Sequence, residues 1–298
     1  MTLDVLRSEE LESALAAALS GRSARLADLL ARHGGLPGPR PNLALASAFG
    51  NSLARAGTQA RPLLDALVRA GSAADEARTF LPIAAAFGFA ARLSTDDVHA
   101  WDGIFELAAD DRAAVRTGLI AALGGWAART NLGPLVARAA RWLEHPDREH
   151  RFAACAIVLD VIAERRRLET LEDRAALLSW MERVIGEIAD APRAAERSPA
   201  RRRILAALPS ALAEIAVSLR DEGERWLIAQ LSEARHPDVR IAMEQAIDAL
   251  RKGARARSSS VIEAMRAALA SSAKPSREAA RIRHGMSGRG KKGDRRSR

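Results

Sequence analysis

The feature that most constrains this chain is a recurrence. Six times an arginine leads into a run of small apolar residues. Arg40 precedes Leu43 to Phe49, Arg78 precedes Phe80 to Phe87, and Arg116 precedes Leu119 to Leu123. Arg151 precedes Phe152 to Leu159, Arg203 precedes Ile204 to Leu208, and Arg240 precedes Ile241 to Met243. The intervals are 38, 38, 35, 52 and 37 residues. Self-similarity at this period marks repeat architectures, in which one unit cannot bury its apolar face alone and its neighbours complete the core.

The flanking residues give each unit its form. Asp110-Asp111, His145-Pro146-Asp147, Ser198-Pro199 and His236-Pro237-Asp238 stand just ahead of four of the arginines. Asp and Ser there cap the free N–H groups of a following helix, and proline suits the first helical position. Between the Arg-led helices lie second amphipathic segments: Arg61–Val68, Val98–Leu107, Pro134–Leu143, Glu172–Met181 and Arg225–Leu231. Their apolar residues recur at three and four, the spacing of one helical face. Aromatics are 4% of the chain and tyrosine is absent, so Ala, Leu, Val and Ile carry the 48% hydrophobic content, and no alternating strand pattern occurs. The expectation is an all-α chain, an α-solenoid of about six to seven stacked antiparallel hairpins. A last helix from about Ser260 to Ala270, opened by a Ser260–Glu263 capping box, would close the stack.

The elements Asp111…Arg116 and Asp147…Arg151, with Val115-Arg116 and Val239-Arg240, resemble the start of the second helix in HEAT repeats of the armadillo-type superfamily. The resemblance spans roughly residues 22–252 and implies a ladder between adjacent repeats, with Asp111, Arg116, Asp147, Arg151, Arg203, Asp238 and Arg240 as the repeat positions. The first two units lack the Asp, and Arg203 follows Ser-Pro instead. The 52-residue interval, over 164–200, reads as a longer first helix from about Thr170 to Asp190 plus a longer loop. A site-forming insertion is the alternative, since solenoid insertions gather on one face.

Charge divides the chain into a body, 1–273, and a tail, 274–298. The tail carries Lys274, Arg277, Arg281, Arg283, Arg289, Lys291, Lys292, Arg295, Arg296 and Arg298 against Glu278 and Asp294. It therefore supplies +8 of the net +9. With so little apolar content it is expected to be disordered and to make loose, salt-sensitive contacts with nucleic-acid phosphate or an acidic protein. It has no aromatic residue to stack on bases.

Catalytic signatures are sparse. His145 and His150 are five apart across a proline turn, a spacing that does not set both rings on one helical face, and no HExxH or CxxC accompanies them. Cys155, the single cysteine, lies in an apolar helix and reads as core filler. There is no Walker A, dinucleotide or G-x-S-x-G pattern. Arg165-Arg166-Arg167 and Arg201-Arg202-Arg203 read as solvated helix ends. The N-terminus lacks an apolar stretch, and the longest apolar run, Phe80–Ala91, is too short to span a bilayer. The expectation is a cytoplasmic, non-catalytic scaffold with no cofactor or metal and no membrane association. It would bind a protein partner on the solenoid surface and nonspecific nucleic acid through the tail. The alternative is a HEAT-like DNA glycosylase or other DNA-repair protein, which would place tryptophans around an Asp in a positive groove.

Overall fold

The computed structural model describes residues 8–71, 75–94, 97–164, 167–252 and 256–272. The whole basic tail, with Lys274 to Arg298, and Arg165 and Arg166 lie outside the described residues. Among the described residues the regular structure is entirely helical. The elements are α1 (Ser8–Leu19), α2 (Ala24–His33), α3 (Leu43–Leu53), α4 (Ala60–Ala70), α5 (Phe80–Arg92), α6 (Val98–Ala108) and α7 (Ala113–Arg129). After them come α8 (Gly133–Trp142), α9 (Arg148–Ile162), α10 (Arg174–Ala189), α11 (Pro199–Ser218), α12 (Arg220–Glu233), α13 (Pro237–Leu250) and α14 (Ser259–Ser271).

Helix starts follow the local chemistry. Side-chain oxygens of Asn42, Asp97, Asp173 and Ser198 accept the third N–H beyond them, closing α3, α6, α10 and α11. Each removes one of the unpaired donors that a helix start exposes. Pro134, Pro199 and Pro237 sit in the first turns of α8, α11 and α13, where a missing N–H costs nothing. The two His-Pro-Asp turns are the same device: the Nδ1 atoms of His145 and His236 accept the N–H of Asp147 and of Asp238, each at 3.2 Å. At α14 the capping box does not form; Ser258 precedes the helix, and no side chain caps it. The helix expected over Thr170–Asp190 begins later, at Arg174, because Asp173 caps it.

The Arg-led helices α3, α5, α7, α9, α11 and α13 touch one another in chain order. The intervening α4, α6, α8, α10 and α12 each pack on members of that row or on one another. Near the middle of the row, α9 touches α6, α7, α8 and α11 and is buried from Arg151 through Leu159. A helix apolar all round belongs inside a fold, and this one forms the floor on which the neighbouring helices meet.

Candidate functional site

Three of the recurring arginines perform one structural task. The Nη1 of Arg116 donates to the carbonyl of Asp110 (3.0 Å), that of Arg151 to His145 (2.5 Å), and that of Arg240 to Ala234 (3.2 Å). Each reaches back six residues and satisfies a carbonyl in the turn behind its own helix. Two of them also reach forward: Arg151 Nη2 to Glu187 on α10 (2.9 Å), and Arg240 Nη2 to the Leu269 carbonyl on α14 (3.0 Å). In α11 that task falls to Arg201 and not to Arg203. Arg201 is 2% exposed. It donates to the Ile188 carbonyl at the end of α10 and pairs with Asp238 of α13 at 2.7 Å. The Arg201–Arg203 triplet is therefore no solvated helix end: one member is buried, Arg202 is exposed, and Arg203 is half-buried. Arg167 also turns inward, onto the Gly124 carbonyl and Glu164. Of the remaining repeat positions, Asp147 contacts Glu149 N and His150, and the Asp111 side chain is 90% exposed.

Arg203 crosses instead to a distant unit. Its Nη1 donates to the Asp110 carbonyl at 3.2 Å and lies 3.9 Å from the Asp111 carboxylate. The Asp110 carbonyl thus receives Arg116 and Arg203 together, and the bridge joins the starts of α7 and α11 above α9. Beside it opens a cavity of about 290 Å³. Its lining is largely methyl groups from Ala113, Ala153, Ala156, Ala206 and Ala207, with Ile120 and Ile157, and its polar members are Arg116, Thr117, Asp160 and Arg203.

The charges of this groove are unequally matched. At the bridge, Arg112, Arg116 and Arg203 face Asp110, Asp111 and Glu149. Asp110 pairs with Arg112 at 2.5 Å, and Ser198 Oγ donates to Glu149 at 2.5 Å. Burial lowers the pKa of Arg203, and the nearby Arg116 lowers it further, against the pull of Asp111, Glu149 and Asp110. Asp160 stands apart. Among the described residues it accepts no hydrogen bond and forms no ion pair; burial raises its pKa, and the field of Arg116 opposes this.

A second cluster brings the two histidines together. The turn folds the His145 and His150 rings to within 5.8 Å of each other, both tilted against Phe105 at 4.9 and 5.7 Å. His150 Nδ1 lies 2.6 Å from Asp147, which holds that carboxyl below its usual range. Helical spacing does not predict the pairing because a turn, and not a helix, sets it. Among the described residues no group of three or more His, Cys, Asp or Glu could hold a metal. Cys155 is buried in α9, and burial pushes its thiol up to about 12. The nucleophile is the thiolate, so this sulfur is inert at neutral pH.

All five tryptophans are buried. Trp101 packs edge-on against Trp126 and Trp142 at 5.5 and 6.1 Å, and its Nε1 donates to the Ser94 carbonyl. None lines the groove. Among the described residues no helix is long and apolar enough to cross a membrane. No family model, curated protein or solved structure compared with the chain matches it.

Proposed function

We propose that the chain is a HEAT-like α-solenoid acting as a non-catalytic scaffold, with its Arg-led helices forming the surface that holds a protein partner. The basic tail, 274–298, adds electrostatic contact with nucleic acid or an acidic partner. The observation that carries the reading is the sequential contact of α3, α5, α7, α9, α11 and α13, with a groove open between the walls α7 and α11. Shape and charge there suit recognition: methyl-lined walls, few polar groups, and arginines committed to backbone carbonyls. A DNA glycosylase of the HEAT-like kind is less well supported. Asp160 would supply its carboxylate, but the tryptophans that should surround a flipped nucleotide are in the core.

Two measurements on the full chain test this. A photo-crosslinking side chain at Ala206, on the groove wall, should capture a discrete protein that the same group at exposed Glu172 does not. Capture that is indiscriminate or equal at both positions overturns the scaffold role. Retention on immobilised duplex DNA at low and high salt should weaken steeply with salt and disappear when 274–298 is removed. Unchanged retention overturns the role given to the tail.

A further inference from the structure

Two positive charges in the groove share a single neutral oxygen. The Nη1 atoms of Arg116 and Arg203 both donate to the Asp110 carbonyl, at 3.0 and 3.2 Å, which holds two like-charged guanidinium groups side by side. Among the described residues neither group has a carboxylate within hydrogen-bond distance. Arg203 comes no nearer than 3.9 Å to Asp111, whose side chain is 90% exposed. The other acids whose fields reach Arg203 are engaged elsewhere: Asp110 pairs with Arg112, and Glu149 accepts the Ser198 hydroxyl. The Arg203 Nε is buried without a partner. Burial, and then the Arg116 charge, lower the pKa of Arg203 despite those acids, the sign of a cation that its surroundings under-compensate. Both arginines line the cavity of about 290 Å³ against the one carboxylate of Asp160, so its lining carries an excess positive charge. The bonds that the two make use Nη1, which leaves the Nη2 side of each fork for a ligand.

We propose that this groove docks an acidic side chain, glutamate or aspartate, of the partner protein, with its carboxylate shared between Arg116 and Arg203. Guanidinium groups take carboxylates through paired N–H donors in a fixed fork. The methyl-lined walls of Ala153, Ala156 and Ala206 receive the short stem and exclude water, which strengthens the attraction. An anion lying between the two arginines also offsets their mutual repulsion. A basic side chain would add a third positive charge beside them, and a neutral one would leave the repulsion as it is. Asp160 opposes the ligand as a like charge, so its removal strengthens docking, the opposite of what a site for cations would show.

The inference rests on the scaffold reading but is tested apart from it. Blocked tripeptides of the form acetyl-Ala-X-Ala-amide, with X as Glu, Asp, Gln or Lys, are titrated into the full-length protein. Inorganic phosphate is titrated separately. NMR follows the alanine and isoleucine methyl resonances and the Arg203 Nε–H, whose burial slows its exchange with water. Saturable shifts at Ala153, Ala156, Ile157 and Arg203 are expected with the Glu and Asp peptides, with about tenfold weaker effects from Gln and Lys. Arg203→Gln should weaken the Glu peptide by about tenfold, and Asp160→Asn should tighten it by about threefold. Arg202→Gln, at an exposed position on the same helix, should leave binding unchanged. Arg203→Gln also takes a donor from the Asp110 carbonyl, so Asp160→Asn, which keeps the shape of the site, carries the test if α11 shifts. The proposal is overturned if Gln or Lys peptides bind as well as Glu, if Asp160→Asn weakens the Glu peptide, or if no peptide produces saturable shifts. Phosphate acting at lower concentration than the Glu peptide also overturns it, since the groove would then be a site for free anions. In any of these cases crosslinking at position 206 still reports on the scaffold role, so the two failures are distinguishable.

Discussion

The two halves of the molecule hold their Arg-led helices together by different chemistry. Around α5, close approach is obtained by removing side chains. Gly50 on α3 faces the backbone of α5 so tightly that a Cβ there would stand 2.6 Å from the Phe87 carbonyl oxygen, and Phe49, Phe80 and Phe89 are fully buried in the same half. Arg40 is exposed, and Arg78 makes only exposed contacts with Asp28 and Asp75. From α7 onward the arginines move inside: Arg116, Arg151, Arg201 and Arg240 each satisfy a carbonyl, and three of them reach into the next unit. One sequence device, an arginine ahead of an apolar helix, therefore has two outcomes. Where glycine lets backbones meet, the arginine is free to stay in solvent. From α7 onward the guanidinium is taken up by a carbonyl in the turn behind its helix or on a neighbouring element.

Breaking the second half should need only one arginine. Arg201→Met keeps the stem and removes the donors that Arg201 gives to the Asp238 carboxylate and the Ile188 carbonyl. A loss of about 3 kcal/mol is expected, the lower end for a buried pair because Asp238 is part-exposed. Arg78→Met in the first half should stay within about 0.5 kcal/mol, as exposed pairs do. Urea denaturation at neutral pH measures both, and equal losses would erase the distinction between the halves. The first half should break at its glycine instead. Gly50→Ala forces α3 away from α5 at a point where the obstacle is backbone and cannot rotate aside. About 2 kcal/mol of destabilisation is expected, against the few tenths gained when the same change is made at an unobstructed helical glycine such as Gly186.

The sequence made the periodicity and most helices legible because both depend on local pattern. The amphipathic segments Arg61–Val68 and Val98–Leu107 lie within α4 and α6, Pro134–Leu143 overruns α8 by one residue, and the expected Asp and Ser caps act at two of the four helix starts, those of α9 and α11. Which arginine of Arg201–Arg203 turns inward was not legible. Ser198 closes α11 on Arg201 N and so fixes the phase of the helix, but the partners that select Arg201, Ile188 and Asp238, belong to other elements. The pairing of His145 with His150 was hidden for a similar reason: a turn and a distant Phe105 decide it. The groove itself carried no signal, since Asp160 is one acidic residue among many until α7 and α11 rise on either side of it.

Asp160 gives the finest test of the contrast, because among the described residues it forms no hydrogen bond or ion pair and only the field of Arg116 acts on its charge. Its pKa is raised above the ordinary 3.8 by burial, with Arg116 pulling the other way. The folded protein therefore holds this proton more tightly than the unfolded chain does. Stability from this group is greatest below the unfolded value and declines as pH rises through the folded one. Asp160→Asn removes the charge while keeping the shape. It should leave the melting temperature nearly unchanged near pH 3.5 and raise it by about 1–2 °C at pH 7, an effect kept small by the solvent that still reaches the carboxylate. Differential scanning calorimetry across that range separates the possibilities. A gain that grows with pH marks a charge the fold does not compensate. A loss at pH 7 would mean that Arg116 already serves as its partner, and the arginine-rich half would then be electrostatically complete.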